Sequence, residues 1–463
     1  MTRRTMLSLA AAGAFAADRK NRAPISHEVL KVKLPEAQPL TLSNGMTMIV
    51  LEDNRMPLAY VRAQIEGAGM IYAPHPGLAE LTADMLLAGA GTRSGKQLVE
   101  EAEQLGANFN SRASGGAETA LVDAHGLSSR FNDWLALLAD VLLRPTFPAD
   151  DFNILRQRIM VGLRLRRAQA SSLVEDLSER MVYGSHPASV NYPAPEALAG
   201  LKHDMVTAWY RERYAPASTV MSVIGRVRAS SVKSRLEELF GGWKTPAPKF
   251  TLPPPPQPAT QRRIFVIDRP GANQTQVSIG GLLFDRRDEG FFPMSILNSI
   301  LGSGPSSRLF RILRGEKGYA FEIQSSFGAS RFPGYWRVRA GVRADATGDA
   351  VGTILGELQK MCDQPASALE IDEAKGSVIG QFALQLEQPT PVIGYSYLRF
   401  RYGFSSDYWN HYPEKMGAVS ASEIQAVAQK YMNPAVAQIA VVGDAARLRA
   451  DLAKFGPVEI QTL

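Results

Sequence analysis

One cysteine, Cys362, stands among 463 residues, so no internal disulfide can form and no cysteine-built zinc site exists. Histidine is nearly as sparse. His27, His75, His125, His186, His203 and His411 are the only six, and none lies three or four residues from another. H-x-x-E-H and H-E-x-x-H are therefore both absent. A catalytic zinc takes three protein ligands, at least one of them an imidazole or thiolate, and the residues alone argue against one here. No G-x-S-x-G occurs, and Ser230-x-x-Lys233 has no companion motifs, so no nucleophile is assigned. Gly89–Lys96 lacks the spacing of a phosphate-binding loop, and Gln97 follows the lysine where a hydroxyl should stand. The balance of 51 Lys+Arg against 45 Asp+Glu is mildly basic. No long basic run or basic–aromatic interleave accompanies it, which argues against nucleic acid as a partner.

What is present reads as globular: 45% hydrophobic and 21% charged residues. The length calls for two or more domains of about 200 residues. Met1–Ala17 has Arg3-Arg4 before a short apolar run and Ala14-Phe15-Ala16 as a small-x-small cleavage pattern. It reads as an export signal with twin-arginine character, which places the mature chain in the periplasm or outside the cell. No other stretch approaches the ~20 apolar residues of a membrane span, so no integral membrane segment is expected. Residues 18–39 form an irregular leader. Residues 40–244 form a first domain and residues 263–463 a second. Residues 245–262 link them, with four consecutive prolines at Pro253–Pro256 that favour a semi-rigid extended spacer.

The second half repeats the first. Gly106-Ala107-Asn108-Phe109 precedes Gly318-Tyr319-Ala320-Phe321 by 212 residues, and Leu87-Ala88-Gly89 precedes Ile300-Leu301-Gly302 by 213. Pro216…Gly225 precedes Pro434…Gly443 by 218. Three matches in order at a nearly constant offset argue for a duplicated domain. Strands (46–51, 58–66, 107–112, 119–126, 219–225) and helices (95–105, 131–143, 150–170, 198–214, 230–240) alternate without a strict β-α-β rhythm. Each half is therefore expected to be α+β, helices packed on one sheet.

The stretch Gly77–Thr92 is expected to be one buried helix, with Leu78, Leu81, Met85 and Leu86 at helical spacing. Glu80 and Asp84, four apart, share another face, where they either face water or grip a hard cation. In the second half, Ser306–Arg314 reads as a Ser-capped helix carrying three arginines. Arg314, at its end, either makes a surface ion pair or offers its guanidinium fork to a peptide carbonyl or carboxylate.

Over nearly the whole mature length these segments resemble the pitrilysin–insulysin–mitochondrial processing peptidase family, the inverzincins. The resemblance rests on SNGM at Ser43–Met46, GLAEL…LLAGAGT at Gly77–Thr92 and LGANFNSRAS at Leu105–Ser114. YGSHP at Tyr183–Pro187 and WYRERYAPAS…VIG at Trp209–Gly225 continue it. LNSILGSGPSSRLFRILRGEKGYAF at Leu297–Phe321 and NPAV…VVGDA at Asn433–Ala445 extend it through the second half. The resemblance implies two similar α+β domains closing like a clamshell on a chamber, with an H-x-x-E-H zinc helix after the second strand. The two histidines of that motif map to Glu80 and Asp84, and its water-activating glutamate maps to Ala83. The third ligand falls near Val161–Leu163, where no carboxylate stands. The resemblance thus implies the fold and denies this chain its own zinc and its own hydrolysis.

Active members also use an Arg/Tyr pair, seven residues apart, to hold substrate backbone. Arg314 matches the arginine, and Phe321 stands where the tyrosine should, with Tyr319 two residues away as a possible substitute. Asn110, in the LGANFNSRAS segment, joins them as a substrate-side residue. The chain is similar to the non-catalytic subunit of short bacterial heterodimers. The expected partners are a peptide substrate and a homologous subunit carrying the zinc. The competing readings are a peptide-holding or structural scaffold with no part in proteolysis, and a divergent hydrolase using a metal at Glu80 and Asp84.

Overall fold

A computed structural model describes residues 30–34 and 38–461; the export signal and most of the leader expected from the sequence lie outside the described residues. The chain builds two six-stranded sheets. Strands β1 (Leu40–Thr41), β2 (Thr47–Glu52), β3 (Leu58–Glu66), β6 (Ala107–Arg112), β7 (Thr119–Leu127) and β8 (Thr219–Gly225) form the first. A two-stranded ribbon of β4 (Gly89–Ala90) and β5 (Arg93–Ser94) stands apart from it. The second sheet comprises β9 (Arg263–Asp268), β10 (Gln274–Leu282), β11 (Ala320–Gly328), β12 (Tyr335–Arg343), β13 (Gln438–Gly443) and β14 (Val458–Gln461).

The orders are β1-β2-β8-β3-β7-β6 and β11-β12-β10-β13-β9-β14. Leaving out β1 and β14, the first order read from β6 becomes the second when 213–219 residues are added to the start of each strand. In both sheets the third of these strands from the free edge (β3, β10) is antiparallel to its neighbours, and the last two (β8 with β2, β13 with β9) run parallel. The duplication read from short sequence matches is thus repeated strand by strand. Among the described residues each sheet has two edge strands, β1 and β6 in the first and β11 and β14 in the second, and β6 and β11 are the equivalent pair.

One face of each sheet packs on helices of its own half, giving two large cores. The other face is covered by a helix from the opposite half. Leu173, Val174 and Leu177 of the Ala170–Tyr183 helix pack on Ile267, Ala440 and Val442 of the second sheet. Reciprocally, Val392, Ile393 and Tyr397 of the Pro389–Tyr402 helix pack on Ile49, Leu51, Val220 and Ile224 of the first. Double coverage explains why β8 and β13 are buried at every residue and read as continuous apolar runs.

Three element boundaries in the first half differ from the sequence expectation. The helix expected over Gly77–Thr92 spans only Leu78–Met85. It gives way to the β4–β5 ribbon because Ala90 bridges Pro145 and Gly91 takes a φ of +62°, a conformation that removes the stretch from helix. The Arg-rich helix runs Ala149–Ala168 and stops at the extended Gln169, after which the exchanged helix Ala170–Tyr183 begins. The 198–214 segment splits into Pro195–Ala199 and His203–Arg213.

Gly225, which closes the repeated VIG segment, has φ +146°, and a Cβ there would sit 2.3 Å from the Leu58 carbonyl oxygen. Ala59 pairs with it directly across β3, so the backbone cannot retreat without breaking the ladder. Gly225→Ala is expected to lower the unfolding free energy by about 2 kcal/mol, measured by urea denaturation; an unchanged midpoint would contradict this account.

Candidate functional site

The Leu78–Met85 helix starts at Gly77, whose φ of +87° turns the chain into it without a side-chain cap. Leu78, Leu81, Ala83 and Met85 are buried in the first core. Thr82 is buried too and satisfies its hydroxyl on the Leu78 carbonyl at 2.8 Å. Ala83, which the resemblance sets against the family's water-activating glutamate, is fully buried. The helix packs against β6, the free edge of the first sheet, and against the Ala149–Ala168 and His203–Arg213 helices.

Glu80 and Asp84 occupy the partly open side of this helix. Among the described residues neither carboxylate has a hydrogen bond or ion pair. Burial, and then the charge of Asp84, pushes the Glu80 carboxyl up to about 7. Burial pushes Asp84 up to about 6, against the opposing charge of Arg158. The Tyr214 hydroxyl is buried and, among the described residues, has no hydrogen-bond partner. Burial raises its pKa above the ordinary phenol value, and the charges of Tyr210 and Asp84 add to the rise. In the Ala149–Ala168 helix, Val161 and Gly162 are exposed and Leu163 is buried, and none can ligate a metal through its side chain.

Zinc does not fit these residues. Two carboxylates without an imidazole or thiolate are a poor zinc set. Among the described residues no cluster of three or more His, Cys, Asp or Glu side chains is placed to hold a metal ion.

Asn110 is exposed on β6, in register with Asp123 of β7. Its backbone lies on the free edge of the first sheet, on the strand that packs against the Glu80–Asp84 helix.

The matching corner of the second sheet holds the other candidates. Phe310–Glu316 is a π-helix, wider than the α-helix expected, with Lys317 bonding back to the Ile312 carbonyl at 2.9 Å. Arg314 is exposed. Its Nη1 donates to the Phe321 carbonyl at 3.1 Å, and its guanidinium lies 5.1 Å from the Phe310 ring. The seven-residue spacing therefore does bring positions 314 and 321 together, through the backbone of Phe321. Phe321 itself is the extra residue of a bulge at the start of β11, between Ala320 (opposite Val342) and Glu322 (opposite Gly341). Its ring covers Gly341, where a Cβ would lie 2.4 Å from it. The bulge breaks the simple alternation expected between positions 319 and 321. The Tyr319 hydroxyl turns to Asp349 at 3.4 Å. No hydrogen bond or ion pair joins this corner to Glu80, Asp84 or Asn110 among the described residues.

Sequence reasoning passed over Arg158 and Tyr214. Arg158 was visible only as one arginine in a basic helix, and Tyr214 only as part of the RERYAPAS match. It also passed over a charge cluster between the halves. Glu66 and Glu118 from the first half meet Arg331 and Arg401 from the second. Arg401 bonds Glu66, lies 2.7 Å from Glu118 and reaches the Tyr397 hydroxyl; Arg331 lies 2.6 Å from Glu118.

Family models match most of the described chain. Residues 48–189 match "Insulinase (Peptidase family M16)" and residues 200–378 match "Peptidase M16 inactive domain". An uncharacterised zinc protease of Bacillus subtilis is 24% identical over 352 residues, covering 75% of this chain and 84% of its own length. A crystal structure of a peptidase M16 inactive domain from Pseudomonas fluorescens superposes with a TM-score of 0.82 at 20% identity, covering 88% of this chain and 98% of that one. A protease structure from Helicobacter pylori gives 0.81 at 17% identity, covering 89% and 100%.

Proposed function

The chain belongs to peptidase family M16, and from that premise we propose that it is the zinc-lacking, non-catalytic partner of a zinc-bearing M16 subunit, helping to hold an extended peptide for cleavage. The observation that carries this reading is the replacement of every zinc-site position beside an intact Arg314. Glu80 and Asp84 stand for the histidines, buried Ala83 for the glutamate, and Val161–Leu163 for the third ligand. None of them supplies a zinc ligand set or a base to activate water.

Two features support peptide holding. The free edges of β6 and β11 expose unpaired backbone groups to which an extended peptide can add as a further strand. Arg314 stands at the start of β11, fixed by the Phe321 carbonyl, with donors left for a peptide oxygen. The N-terminal twin-arginine pattern supports export, so the pair would work outside the cytoplasm.

A zinc-bearing homologue should co-purify with the chain from its native host. Arg314→Ala should lower peptide cleavage by the pair about tenfold, the value of one charge-assisted hydrogen bond. Full activity of the zinc-bearing subunit alone would sink the proposal. Peptide capture without cleavage in its presence would favour a peptide-holding scaffold instead.

A further inference from the structure

A cavity of about 400 Å³ lies on the seam between the two halves, within the range of small-molecule sites. Its walls come from the end of the Ala149–Ala168 helix, the Ala170–Tyr183 helix, the 189–194 loop, and β9 and β14 of the second sheet. Leu163, Leu173, Pro193 and Ala194 form an apolar wall from the first half, and Ile267 adds to it from the second. All but Ala194 are buried. Covering such a wall with an apolar group releases water from it, which is favourable.

The charged part of the lining is mostly basic. Arg166, Arg167 and Arg180 line the cavity beside a single carboxylate, Asp176. The Arg166 guanidinium lies 3.5 Å from the centre of the Tyr192 ring, a contact that holds the cation in place. Its Nη2 donates to Glu175 at 2.9 Å and to Asp176 at 3.4 Å. Its Nη1 makes no hydrogen bond among the described residues. Arg167 meets exposed Glu196 at 3.4 Å, a pairing of little strength in water. Arg180 donates its Nε–H to the Asp176 carbonyl at 3.2 Å. Among the described residues, its two terminal nitrogens have no hydrogen bond and no ion pair. Glu175 cannot serve Arg180 instead, since it also faces Arg337 and Arg339 of the second sheet at 3.4 and 3.8 Å. The cavity therefore combines an apolar wall with guanidinium donors that the protein leaves unused.

This combination selects a chemical class. A guanidinium fork meets a carboxylate or a phosphate through paired hydrogen bonds. Asp176 decides between them. Burial already raises its pKa above the ordinary carboxylate range, and a phosphate dianion would bring two further like charges beside it. A bare anion would also leave the apolar wall wet. A single carboxylate on an apolar body satisfies both parts of the lining. We propose that this cavity binds an apolar monocarboxylate, its carboxylate held by Arg180 and Arg166 and its body resting on Leu163, Leu173 and Ile267. Because both halves contribute to the wall, the bound acid braces the seam between them. The site is independent of peptide holding at β6 and β11. Two sources carry this chemistry, a free carboxylic acid and the C-terminal residue of a peptide, and the test separates them.

The probes are hydrocinnamate, its amide, an N-acetylated Ala-Ala-Phe peptide with a free C-terminus, and inorganic phosphate. Each is titrated calorimetrically into the full chain. Hydrocinnamate is expected to bind about tenfold to a hundredfold more tightly than its amide and to raise Tm. In Arg180→Met that preference should fall about tenfold. Arg180 is exposed, so the variant is expected to fold, and its own Tm without ligand checks this. Tighter binding of hydrocinnamate than of the tripeptide supports a free acid as the ligand, and the reverse order supports a peptide C-terminus. Equal binding of acid and amide would overturn the proposal. So would phosphate binding as tight as that of hydrocinnamate, no binding of either carboxylate, or a preference unchanged in Arg180→Met.

Discussion

Replacing Arg401 with methionine is expected to lower the unfolding free energy by about 3–5 kcal/mol, the largest loss foreseen for a single side chain here. Arg401 comes from the Pro389–Tyr402 helix, and its side chain is 7% exposed. It meets Glu66, at the end of β3, and Glu118, just before β7, whose side chains are 16% and 5% exposed. The second cation of the cluster, Arg331, lies 2.6 Å from Glu118 and 3.5 Å from Glu66. All the carboxylates come from the first half of the chain and all the guanidiniums from the second. Removing Arg401 leaves two buried anions with one cation between them, and the desolvation already incurred is no longer offset.

The same polarity recurs at the other seam. Arg337 of β12 reaches Glu179 at 2.8 Å and Glu175 at 3.4 Å, both on the Ala170–Tyr183 helix. These ion pairs orient the exchanged helices on the opposing sheets. Chemical denaturation measures the loss, and a double-mutant cycle identifies its origin. In an E66Q background, Arg401→Met should cost at least about 1 kcal/mol less than in wild type, because one of the stranded charges is gone. Strictly additive losses would show that Arg401 and Glu66 are not coupled, and the explanation would fall.

E80Q/D84N is expected to behave in the opposite way and to stabilise the free protein by several kcal/mol, up to about 6 kcal/mol, at pH 8. The folded chain holds Glu80 near 7 and Asp84 near 6, against ordinary values of 4.5 and 3.8. Between about pH 4 and 7 the folded state therefore binds more protons at these groups than the unfolded state. Their contribution is most favourable below the unfolded pKa values and is lost as pH rises through the folded ones. The amide variant has no such loss, so its advantage should be near zero at pH 4, grow from pH 4 to 7 and level off at pH 8. Glu179, also near 7, is present in both proteins and cancels in the difference. Urea denaturation of wild type and variant at a series of pH values measures the gap; a gap independent of pH would refute the burial of uncompensated charge.

Much of the site was legible without coordinates, because it concerns covalent identity. No folding can supply an imidazole at positions 80 and 84 or a carboxylate at 83. The absence of a zinc set was therefore fixed once the family positions were aligned. The duplication was legible too, since repeated glycine and proline contexts mark repeated backbone geometry; β3 and the Phe131–Leu143 helix were placed to the residue. Periodicity failed at Gly77–Thr92. Its apolar spacing continues past Met85, but the chain there is claimed by pairing with Arg93–Ser94 and Pro145. At Phe321 the two-residue alternation was interrupted by a bulge that only the register with β12 defines.

The sequence by itself thus determined which side chains stand at positions 80, 83 and 84 and which repeated unit the chain is built from, because both depend on residue identity and local order. The tertiary structure alone decided how the halves hold each other and what surrounds the Leu78–Met85 helix. The exchange of the Ala170–Tyr183 and Pro389–Tyr402 helices joins segments some hundred residues or more from the sheets they cover. The Glu66–Arg401 contact spans 335 positions. The charge state of Glu80 and Asp84 follows from what surrounds them, and burial by distant segments is a property that no local window of sequence contains.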